Sequence, residues 1–146
     1  MATTFERAAA LFDFADQIAL VSIKLFQHRL ATQEGLTQAE IRELRQLEDR
    51  LDGVTGNLRA AALNAVTEAV AQSLAEVRAA TVKAQKVITK IAKIEQTIQV
   101  VTAVIGLGLA VVAGQPGPIF NAVGSLEEAA GEAKAANAAA KKPGGA

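Results

Sequence analysis

A chain of 146 residues with five aromatic side chains, all Phe, and no Cys, Trp or Tyr is long enough for one real core but poorly stocked for a β-sandwich. Fifteen basic and fifteen acidic residues cancel, so the concentrated positive face that nucleic-acid binding requires is missing. The absence of cysteine removes a disulfide framework and any thiolate metal site.

The chain reads as one all-α domain over 1–146, an elongated helical bundle or hairpin. Thr3-Thr-Phe-Glu6 is a capping box, in which the Thr hydroxyl and Glu carboxylate satisfy free N–H groups at a helix start. The helix it opens, over 4–30, repeats apolar residues at spacings of three and four: Leu11, Phe14, Ile18, Val21 and Leu25. A second row, Phe5, Ala8, Phe12, Ala15, Ala19 and Phe26, adjoins the first. Together they make an apolar face wider than a two-stranded seam needs. Glu6, Asp13 and Asp16 stand where a secretory leader would be basic and then uncharged. The expectation is cytoplasmic synthesis without such a leader, with membrane association or export by another route left open.

After a polar connection containing Gly35, a second capping box, Thr37-Gln-Ala-Glu40, opens an amphipathic helix over 38–52. Ile41, Leu44, Leu47 and Leu51 form its apolar stripe. Two glycines in Asp52-Gly-Val-Thr-Gly-Asn57 cost about 1 kcal/mol each inside a helix, so the sequence predicts a break there.

A long helix over 57–113 follows. Val66, Val70, Ser73, Val77, Ala80, Ala84, Val87, Ile91, Ile94, Ile98, Val101 and Ile105 step by four and three, a heptad seam of the kind that pairs helices. Lys83, Lys86, Lys90 and Lys93 form a basic row to one side of it. Such a row is either a solvated face or a site for anionic lipid headgroups, each lysine worth about 1 kcal/mol there.

From Gln96 to Leu126 there is no charged residue. Ile98–Ala113 would span about 24 Å as a helix, short of a hydrocarbon core of about 30 Å. The Gly114-Gln-Pro-Gly-Pro118 segment is expected to turn the chain, because two prolines and two glycines oppose helix. The whole therefore reads as a hydrophobic hairpin for membrane or partner, with Ile98, Val101, Ile105, Gly106, Leu109, Ala110, Gly114, Pro116, Pro118, Ile119 and Phe120 as its contact residues. Gly106, Ala110 and Gly114 set small residues four apart, a stripe that lets helix backbones touch. Ser125-Leu-Glu-Glu128 reads as a third capping box, beginning the last part of helical segments over 119–140, with a tail over 141–146.

Catalysis has few parts here. One histidine, His28, excludes an H-E-x-x-H site and a di-iron bundle with two E-x-x-H pairs. No phosphate-binding G-x-x-x-x-G-K-[ST] loop is present. The expectation is a non-enzyme without metal, cofactor, small-molecule substrate or nucleic acid, working as a homo- or hetero-oligomer. Long amphipathic helices joined to a glycine-containing hydrophobic hairpin over Lys83–Leu126 resemble the α-helical pore-forming toxins of the haemolysin E type. That resemblance implies a bundle that shields its hairpin in solution and then delivers it to an anionic membrane as an oligomer. The alternative is a soluble coiled-coil structural or adaptor protein in which the hairpin is simply core.

Overall fold

The computed structural model describes residues 3–64 and 66–141, with side chains described as far as Ala138. It is an all-α bundle: α1 (Thr4–Thr32), a 3-10 turn (Gln33–Gly35), α2 (Gln38–Leu63), α3 (Glu68–Ile88), α4 (Ile94–Ala113) and α5 (Pro116–Lys141). Two of the expected helix starts form, the first with only the Thr half of its capping box. Thr3 Oγ1 accepts from the Glu6 N–H at 3.1 Å, and the Thr37–Glu40 box closes in both directions.

The heptad segment does not form one rod. It is divided at Asn64–Thr67 and again at Thr89–Lys93, so that its parts belong to α2, α3 and α4. Thr67 caps α3 by accepting from the Val70 N–H at 3.2 Å. The second division contains neither Gly nor Pro. Ile91 there is buried, plugging the core between α3 and α4. A straight rod would leave its seam in water unless a partner covered it. Folding back instead buries Val70, Val77, Ala80, Ala84, Ile91, Val101 and Ile105 within one core. Each large aliphatic among them contributes about 1.5–3 kcal/mol. That gain outweighs the few backbone hydrogen bonds lost at two breaks, each worth about 1 kcal/mol.

The break expected at 52–57 is absent for a related reason. Val54, Thr55, Leu58 and Ala62 are buried, whereas Gly53 and Gly56 face solvent, where an added Cβ would meet nothing. Burial along the inner face carries α2 through both glycines. The expected turn over 114–118 shrinks to Gly114–Gln115. Gly114 takes φ 77, a left-handed cap that glycine adopts without steric cost, and its N–H donates to Ala110 and Val111 carbonyls. Pro116 and Pro118 then fall in the first turn of α5, where the missing N–H groups would have had no helical acceptor. Since α5 is already running, Ser125 lies inside it. The expected Ser125–Glu128 capping box is therefore not a start, because an N-cap needs non-helical backbone. Of the expected tail, Lys141 belongs to α5 and 142–146 lie outside the described residues.

Cross-helix contacts fix the directions. Asp16–Arg59, Ser22–Asp52 and Arg29–Glu48 run in opposite order, so α1 and α2 are antiparallel. Arg7–Glu68, Asp13–Arg78 and Gln17–Gln85 run in the same order, so α1 and α3 are parallel. Of these links Arg29–Glu48 is partly buried and Gln17–Gln85 is buried. Arg29 grips the Glu48 carboxylate with two N–H donors, at 2.6 and 3.2 Å, and that partner raises the guanidinium pKa above its ordinary value. Gln85 Nε2 donates to both the carbonyl and the side-chain oxygen of Gln17 at 2.9 Å. One end of the bundle consequently gathers the starts of α1, α3 and α5 and the ends of α2 and α4.

Candidate functional site

Helices α4 and α5 do form a hairpin from the charge-free run, and it is two-faced. Its inner face supplies Val100, Val101, Val104, Ile105, Leu107 and Val111 from α4, with Ile119, Val123 and Leu126 from α5, all buried. Ile98 and Ala110 are partly buried against the same core. Its outer face shows Gly106, Leu109, Val112, Pro116, Pro118 and Phe120 to solvent, with Phe120 72% exposed. Helix α4 is long and apolar enough to cross a membrane, yet half of its most hydropathic window is buried inside the bundle. Core helices of water-soluble bundles meet the same length and composition test.

The small-residue stripe is not where the helices approach most closely. A Cβ at Gly106 would meet nothing within 4 Å, and Gly114 is the helix cap. The close approach falls instead at Gly108, where a Cβ would collide with Cγ1 of Val54 and lie 3.9 Å from Cδ1 of Ile18. Glycine there lets α4 lie against α2. The seam distinguishes the two glycines, since Gly108 continues the four-and-three stepping of Ile98, Val101 and Ile105 and Gly106 does not. What the fold adds is the identity of the neighbour, Val54 of α2. Gln99 and Thr102, two polar residues on α4, line a shallow outer groove with Ser125 and Glu128 of α5.

Helix α1 keeps apolar residues outside the fold. Leu11, Phe14, Ile18, Val21 and Leu25 are buried as the first row predicts. The second row splits: Ala15 is buried and Phe12 partly so, while Phe5 is 81% and Phe26 45% exposed. Ile23 and Leu30 extend that outer row and are about half exposed. Their spacing to Phe26, three before and four after, is the signal that marks them in the sequence. Arg29 lies over the Phe26 ring, 5.2 Å from its centroid.

The basic row is exposed throughout. Lys83 and Lys86 belong to α3, Lys90 follows its end, and Lys93 is the N-cap residue of α4. Lys93 begins α4 and so lies about 30 Å along its axis from Gly114 at the other end, whereas Lys83 is one turn beyond Ala79 of α3, which shares a groove with Phe120. The row is therefore spread along the bundle and is not gathered at the hairpin tip. Lys83, Lys86 and Lys90 instead share a groove between α3 and α5 with Lys134. Lys134 lies far away in sequence, and the parallel packing of α3 and α5 brings it in.

His28 is partly buried, and desolvation lowers its imidazole pKa below 6.5, partly offset by the Ile91 backbone. Among the described residues, no three His, Asp or Glu side chains come together in a way that could hold a metal ion. No protein-family model, curated protein or solved structure matches this chain.

Proposed function

We propose that this chain is a non-enzymatic helical-bundle protein that acts by associating with other protein surfaces, its uncharged hairpin serving as core in solution. The observation that carries this reading is the continuous burial of the hairpin's inner face against α2 and α3, with Gly108 seated on Val54. A segment so placed already has its apolar surface covered, at roughly 25 cal/mol per Å². The heptad seam is likewise spent inside the fold, which leaves association to the outer row of α1. Phe5, Ile23, Phe26 and Leu30 lie there at helical spacing, uncovered. Light scattering in detergent-free buffer tests the reading. A defined assembly is expected, falling to monomer in an Ile23→Asp, Leu30→Asp variant that keeps its helical content. A wild-type chain that stays monomeric and captures no partner overturns it.

One observation favours a second reading, a membrane-active oligomer of the pore-forming kind. Between Gln96 and Leu126 the hairpin's outer face carries no charge and exposes Leu109, Val112 and Phe120. Flotation with anionic vesicles separates the two readings. The suitable variant is Leu109→Asp with Phe120→Asp, since both side chains are outside the core. Binding by the wild type that this variant loses supports membrane insertion; equal binding, or none, removes it.

A further inference from the structure

The grooves on this bundle differ in the charged residues that line them, and the Asp13, Asp16 and Glu48 carboxylates are each paired with an arginine outside the groove lining. The α1–α2 groove near the start of α1 is rimmed by Asp13 and Asp16, and the one farther along by Glu48 and Asp52. The groove beside Phe120 has Glu76, Glu127 and Glu128, and the outer α4–α5 groove has Glu128 and Glu132. None of these four is lined by a lysine or arginine. A fifth groove, about 560 Å³ between α3 and α5, gathers Lys83, Lys86, Lys90 and Lys134, with Glu127 as the one carboxylate among the described residues that line it. Its formal charge is 4 − 1 = +3.

We propose that this groove binds a phosphate-bearing anion. The four ion pairs among the described residues all use arginine, and none engages these lysines. Four lysines lining one concavity repel each other, and a bound anion turns that repulsion into attraction. A lysine in the last turn of α3 complements the carbonyl end of that helix, which accounts for Lys86 alone. It does not account for Lys134, which reaches the same groove from the other wall. Lysine offers a mobile point charge with three donors, suited to dense phosphate charge, whereas planar carboxylates are better matched by the arginine fork that this groove lacks. Charge on both walls calls for a ligand with at least two negative charges. The Asn137 amide adds a neutral donor, and Val87 with Ala130 makes an apolar floor. The shared chemistry is a phosphate group, delivered by a soluble diphosphate compound or by an acidic phospholipid headgroup.

The site is independent of the association of α1 with other protein surfaces, and its test reads binding rather than assembly. The full chain is titrated calorimetrically with inorganic pyrophosphate at low and high salt. In parallel it is floated with phosphatidylcholine vesicles, with and without phosphatidylglycerol. Lys86→Gln with Lys134→Gln should weaken binding at least about tenfold, while Lys93→Gln, outside the groove lining, leaves it unchanged. Circular dichroism checks the fold, and Lys134→Gln alone substitutes if the double variant is unfolded. Pyrophosphate binding with this variant pattern assigns a soluble ligand. Binding only to phosphatidylglycerol vesicles, with the same pattern, assigns a headgroup. Absence of binding to both probes, or equal loss in Lys93→Gln, overturns the proposal.

Discussion

Gly106 and Gly108 stand two residues apart on α4 and face opposite surroundings. A side chain at Gly106 would enter open solvent; one at Gly108 would strike Val54 on α2. The same contrast runs the length of the hairpin, from buried Ile105 and Ile119 to exposed Leu109 and Phe120. Hydrophobicity alone does not distinguish these positions. What separates them is whether a neighbouring helix has taken the place of water beside them, and that determines what each residue contributes to stability.

The contrast can be broken most severely at Ile105. An Ile105→Asp change puts a carboxylate into a fully apolar site without a partner, and should cost about 4 kcal/mol or more, leaving the chain unfolded or molten by near-UV and far-UV circular dichroism. Gly108→Ala should come next, lowering stability in urea titrations by about 1–3 kcal/mol as Val54 and α2 are pushed aside. Gly106→Ala should have the opposite sign, raising stability by up to about 1 kcal/mol through helix propensity, and Gly53→Ala and Gly56→Ala should behave alike. Equal damage from Gly106→Ala and Gly108→Ala would mean that α4 does not meet α2 through Gly108. The Leu109→Asp, Phe120→Asp pair should shift the urea midpoint by no more than a surface change does, about 0.5 kcal/mol for each substitution.

The smallest effect concerns pH. Burial favours neutral His28 in the folded state, so its folded pKa lies below the unfolded value of 6.5. Between the two values the unfolded chain binds more protons, and stability therefore rises with pH in that window. Full stability should hold above about pH 6.5 and decline as pH falls below it. A His28→Gln variant should flatten that slope in urea titrations across the acid range.

Features set within a few residues were readable in the sequence. The Thr37–Glu40 box closes because its partners lie three residues apart on one turn. The row Leu11–Leu25 is buried because its helical spacing fixes which side chains share a face. Features requiring a second helix were not readable. The Asp52–Asn57 glycines suggest a break, yet buried Val54 and Leu58 hold the helix together. Ser125–Glu128 has the residues of a start, but the helix has already begun at Pro116. The lysine row was legible as a row; its groove was not, since Lys134 belongs to a different helix from Lys83 and Lys86.

The sequence by itself determined that this protein is helical and which side chains seek burial, because periodicity and capping are local properties of the chain. It also marked Gln96–Leu126 as a segment that must largely avoid water. Only the tertiary structure decided that the heptad run over 57–113 folds back on itself, that the hairpin's inner face lies against protein, and that lysines from α3 and α5 meet. Those outcomes depend on competition between burying a seam against the chain's own helices and leaving it for a partner. That balance is set by contacts between residues far apart in sequence, which no local pattern records.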